Sequence, residues 1–91
     1  MKEDEKWFLL ELYKHCRNIY EYPHYPPERK TPRELINTEG FPMNYKRAWY
    51  LLEKWSGKGW YNYGVTLDLG WLEEEGAVVA ERLIEEASNE K

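Results

Sequence analysis

Lys46, Arg47, Tyr50 and Lys54 stand at helical spacing in the stretch NYKRAWYLLEKW, and they are the side chains of this sequence best suited to recognition chemistry. Steps of three and four residues bring side chains together on one side of an α-helix. From such a side an arginine fork reaches two acceptors on a guanine edge, and lysines neutralise phosphates. A tyrosine donates to a phosphate or touches a thymine methyl. Asn44 precedes the run, where it caps the helix or reaches a backbone, and Lys58 and Asn62 follow it. These seven residues are the candidate DNA-binding set. Other chemistry is thin. His15, Cys16 and His24 match no common zinc spacing. No Ser–His–Asp order, phosphate-cradling glycine loop or HExxH motif occurs. No catalysis, cofactor or metal is therefore expected.

The elements that must carry this helix read as follows. Leu9, Leu12, Tyr13, Cys16, Ile19 and Tyr20 recur on one face of a helix over 4–20, extended at its start by Trp7 and Phe8, with His15 outside. Pro23, Pro26 and Pro27 end it in a surface loop. Thr31, Pro32 and Glu34 form a cap, a first helical residue and a capping box for a short second helix, anchored by Leu35 and Ile36. Gly40 takes a left-handed conformation in the turn. The third helix, 44–56, buries Tyr45, Ala48, Leu51, Leu52 and Trp55, with Trp49 at the edge, and Gly57 and Gly59 stop it. Trp60 to Tyr63 read as a strand, with Leu69, Trp71 and Leu72 as its antiparallel partner. The alternative is one helical turn over 65–69, capped by Thr66, beside a much reduced hairpin. A last helix begins at Glu74 or Gly76 and runs to Ala87, and Glu73 to Glu75 suit its N-terminal dipole. The aromatic cluster Trp60, Tyr61, Tyr63 and Trp71 suits packing better than stacking on a single strand.

Charge narrows the partner. The chain of 91 residues carries −4 overall, which disfavours indiscriminate polyanion binding. Residues 43–60 set Lys46, Arg47, Lys54 and Lys58 against Glu53 alone, whereas residues 61–91 set two basic residues against eight acids. The length fits one domain, 1–91, frayed at 1–4 and 88–91. One cysteine excludes an internal disulfide. No membrane span or signal-peptide core is apparent, which makes the cytoplasm the expected compartment. The absence of glutamine beside abundant Lys and Glu leans toward a thermophilic source.

The order is helix, helix, helix, hairpin, helix: a mostly α fold with a small β-hairpin. It resembles the winged helix-turn-helix domains of small prokaryotic transcription regulators. TPRELI stands for the supporting helix, NTEGFP for the turn, and NYKRAWYLLEKWSGKGWY for the recognition helix running into the wing. GWLEEEGAVVAERL is similar to the second wing strand and closing helix, with Glu73 where a capping threonine is usual. The resemblance implies a double-stranded DNA-binding regulator that reads the major groove with helix 44–56. One domain of this size makes few base contacts, so a homodimer through the first or last helix is expected. In the wing, Thr66 and Asp68 replace basic residues, and Asp68 would repel a phosphate, which leaves Lys58 and Asn62 as contacts there. The other expectation is a winged-helix protein-interaction module, of the kind found in phages and mobile elements, docking an acidic surface on a protein partner.

Overall fold

The computed structural model describes residues 1–18 and 28–89. The elements in order are α1 (Glu3–His15), α2 (Pro32–Ile36), α3 (Tyr45–Gly57), β1 (Tyr61–Asn62), a 3-10 turn (Leu67–Leu69), β2 (Trp71–Leu72) and α4 (Glu74–Asn89). Among the described residues the protein is mostly helical with one two-stranded antiparallel sheet, in which Tyr61 faces Leu72 and Asn62 faces Trp71. Among the described residues no helix is long and apolar enough to cross a membrane.

The core forms where the helical stripes converge. Phe8, Leu9 and Leu12 of α1, Leu35 of α2, Ala48, Leu51, Leu52 and Trp55 of α3, and Ala77 and Ala80 of α4 are all buried. Phe41, in the turn before α3, sets its ring edge-on to Phe8 at 5.3 Å and to Trp7 at 5.5 Å, fixing the turn on α1.

The caps behave as their residue types dictate. Thr31 Oγ1 accepts from Glu34 N at 3.2 Å while the Glu34 carboxylate accepts from Thr31 N at 3.4 Å, the reciprocal capping box. Asn44 Oδ1 accepts from Arg47 N at 2.8 Å. Gly40 has φ +89°, with open space about it, so the backbone angle rather than crowding selects glycine there. At the other end of α3, Gly59 at φ +80° lets Trp60 N reach Trp55 O and Gly59 N reach Ser56 O, a Schellman closure.

Four expectations need correction. The first helix ends at His15, five residues early. Cys16 to Asn18 leave it and cover the outer edge of β2, where Leu72 N donates to Cys16 O and Asn18 N donates to Leu72 O. A two-residue strand with an open edge has unpaired backbone groups, and the exiting chain satisfies them. Ile19, Tyr20, His24 and the proline loop lie outside the described residues. His15 is buried, not exposed: Nδ1 meets the Glu28 carbonyl and Nε2 lies 3.4 Å from Glu11. Tyr45 is 53% exposed, because its position on the first turn of α3 projects beyond the core; its ring lies against Trp49 at 5.4 Å. The hairpin is the reduced one, with the 3-10 turn between its strands, although Thr66 supplies no side-chain cap to that turn.

The turn is held from below by Tyr61. Its buried hydroxyl donates to the Leu67 carbonyl and accepts from Gly70 N at 3.0 Å. A side chain at Gly70 would collide with the Asn62 carbonyl and the Tyr61 ring. Glu73 does other work than capping. Its carboxylate accepts from Trp71 Nε1 and from Asn18 Nδ2, tying the sheet to the α1 exit.

Candidate recognition surface

The seven candidate residues separate into three groups. Arg47 and Lys54 point at α1. Arg47 Nε and Nη2 fork onto the two oxygens of Asp4 at 3.2 Å each, and Nη2 also reaches Glu5 Oε1 at 3.1 Å. Lys54 Nζ donates to the other Glu5 oxygen at 3.3 Å. Glu5 is only 6% exposed and Arg47 is half-buried, so this is a clamp between the first turn of α1 and the length of α3. The hydrogen bond from Arg47 holds the Asp4 carboxyl below its ordinary value. Burial pushes Glu5 upward, but Lys54 and Arg47 outweigh it and leave Glu5 lowered as well.

Asn44, Lys58 and Asn62 serve local structure. Asn44 is the cap described above. Lys58 Nζ sits 4.7 Å from the centre of the Trp60 ring. Asn62 is exposed, with its side-chain carbonyl accepting from Tyr63 N. Lys46 and Tyr50 form the third group and face solvent on the N-terminal half of α3. The Arg47 guanidinium lies 5.9 Å from the Tyr50 ring centre and steadies it from one side.

What α3 shows to solvent is therefore aromatic. Tyr45, Lys46, Trp49, Tyr50 and Glu53 line a shallow hollow of ≈ 430 Å³. Tyr45 and Tyr50 are each 53% exposed, and the one lysine is balanced by the one glutamate. Sequence spacing had placed Tyr45 in the core and Trp49 at its edge. Trp49 does stand at that edge, partly buried against the core, while the first turn of α3 carries Tyr45 past it.

The hairpin offers little to a phosphate, for a reason other than the one anticipated. Asp68 is buried, and Arg33 grips it with Nε at 2.8 Å and Nη2 at 3.0 Å. That hydrogen bond holds Asp68 below the usual carboxylate range and Arg33 above its own. The exposed tip is instead Tyr63, Gly64 and Val65, uncharged and partly apolar. Among the described residues no group of His, Cys, Asp and Glu side chains is placed to hold a metal ion. Burial raises the Cys16 thiol to about 12, and the thiol donates to the Lys30 carbonyl.

No protein-family model, curated protein or solved structure matches this chain.

Proposed function

We propose that this chain is a recognition module of winged-helix build whose α3 docks on a partner protein. The capped α2, the glycine turn, α3, the reduced hairpin and α4 follow in the order of that fold, which supports the architectural part of the reading. One observation carries the choice of partner. The two cations that would give α3 its positive balance, Arg47 and Lys54, are engaged by Asp4 and Glu5, so the outward face is aromatic and charge-balanced.

Duplex binding draws much of its strength from phosphate neutralisation, and a face with one lysine against one glutamate supplies little of it. Interface cores are instead rich in Tyr and Trp and poor in charge. Tyr45, Trp49 and Tyr50 on one helix fit the helix-in-groove mode, in which a few aromatic anchors carry most of the binding energy. The partner is a protein with an apolar groove wide enough for one helix.

Duplex DNA is the second reading, favoured by the exposure of Lys46 and Tyr50 at the start of a helix that follows a helix-turn-helix turn. One experiment separates the two. The tagged chain, its Tyr50→Ala variant and its Lys46→Ala variant are incubated with nuclease-treated lysate and, separately, with a random duplex pool at several salt concentrations. The docking reading expects a stoichiometric protein held by the wild type and lost with Tyr50→Ala, with no duplex retained. A duplex retained in a salt-dependent way and released by Lys46→Ala, with no protein captured, would establish the DNA reading instead.

A further inference from the structure

On the side of the molecule formed by the two long outer helices, α1 and α4 lie antiparallel. Tyr13 meets Glu81, and further along Trp7 and Leu10 of α1 line a groove with Leu83 and Ala87 of α4. Leu10 and Ile84 continue that groove toward Tyr13. Its floor is apolar and incompletely covered: Ile84 is 45% exposed, Trp7 is 38% exposed, and Leu10 and Leu83 are half-buried.

The walls differ in sign. Lys6 and Lys14 stand along the α1 side. Glu81 and Glu86 stand along the α4 side, on a helix with five glutamates and a single arginine. Glu3 also lies at the open end of the α1 wall, where it pairs with Lys6 at 3.6 Å.

We infer that this groove is closed by a second copy of the chain, related by a two-fold axis running along the groove. Such an axis keeps each residue at its own level and exchanges left for right. The α1 wall of one protomer then faces the α4 wall of its partner, basic side against acidic side. The levels match without adjustment, because within one chain Tyr13 is already level with Glu81, and Lys6 already shares its stretch of groove with Glu86. Lys14 thus meets the Glu81 level across the interface, and Lys6 meets the Glu86 level. The apolar floors meet as an antiparallel four-helix layer. A two-fold across the groove would instead set α1 on α1 and α4 on α4, like charge on like. The charge pattern therefore selects the axis as well as the occupant. This inference is independent of what α3 binds.

Sedimentation equilibrium of the full chain, from low micromolar to near-millimolar concentration, tests it. The wild type is expected to reach the mass of two chains. Lys14→Glu reverses two symmetry-related contacts and is expected to weaken dimerisation roughly tenfold. Two further variants separate loss of pairing from loss of folding. An acidic-α1 chain (Lys6→Glu with Lys14→Glu) and a basic-α4 chain (Glu81→Lys with Glu86→Lys) are each expected to remain monomeric alone and to form a heterodimer when mixed. A wild type that stays monomeric throughout overturns the proposal. So does a dimer that Lys14→Glu tightens, since that is the signature of the crossed axis, and so does a mixture of the two variants that fails to associate while both melt cooperatively.

Discussion

The clamp between α1 and α3 makes an asymmetric prediction. Replacing both cations, Arg47→Met with Lys54→Met, leaves the Glu5 carboxylate without an opposite charge, although its side chain is only 8% exposed. Breaking a buried pair from one side leaves an uncompensated charge; for Glu5 the cost is about 2–4 kcal/mol, somewhat below the usual range because it sits in the first turn of α1, where the helix dipole favours an acid. In a domain of this size that lowers the melting temperature by roughly 10–25 °C. The opposite change, Glu5→Gln, leaves Arg47 forked on Asp4 and Lys54 partly in solvent, so the loss is far smaller.

The pH response separates the two states further. In the wild type Asp4 and Glu5 have lowered folded values, so the unfolded chain takes up protons first. Their contribution is complete above the ordinary values of 3.8 and 4.5, and is lost as pH falls through the lowered ones. In the double variant Lys54 and Arg47 no longer offset burial, so Glu5 is raised relative to the wild type. The deficit then shrinks as the pH falls through that raised value, because Glu5 takes up a proton in the fold. Tryptophan-fluorescence melts at neutral and mildly acidic pH read both effects. A double variant that melts within a few degrees of the wild type, or a Glu5→Gln that is the costlier change, would refute the clamp and return Arg47 and Lys54 to service as ligand-binding groups.

Two further outcomes follow from buried groups. Tyr61→Phe strands the Leu67 carbonyl and the Gly70 N–H beneath the 3-10 turn, which costs about 2–3 kcal/mol; a melt unchanged from wild type would show that the turn stands without the phenol. Cys16 is buried and neutral at ordinary pH, so a thiol reagent is expected to label it only at the rate at which the fold opens, and a burst of labelling in the native protein would contradict that burial.

The elements were legible where local chemistry sets them. The Thr31–Pro32–Glu34 box, the Asn44 cap and the left-handed Gly40 and Gly59 each act within a few residues, and each stands where its residue type placed it. The features that were missed join distant parts of the chain. The α1 exit bends to pair with Leu72 more than fifty residues away, which helical periodicity does not register. Asp68 reads as a loop acid until Arg33 is brought beside it. A signal for the clamp did exist: Glu5 lies four residues before Leu9 and seven before Leu12, on the same face of α1. An acid on a buried stripe demands a cation, and helix three was the segment with cations to spare.

The positive balance of residues 43–60 looks like a surface property when counted by segment. In the fold, Arg47 and Lys54 are consumed by Asp4 and Glu5, which the same count assigns to another segment. On α4, Glu81 meets the Tyr13 hydroxyl, and Glu81, Glu85 and Glu86 are all exposed. Hence the acidic charge of this part of α4, unlike the positive balance of α3, does reach the surface. A segment charge becomes evidence for a ligand only after the pairs that hold the fold together have been subtracted. On this chain the subtraction leaves an aromatic face on α3 and an acidic wall on α4, and each calls for a different kind of neighbour.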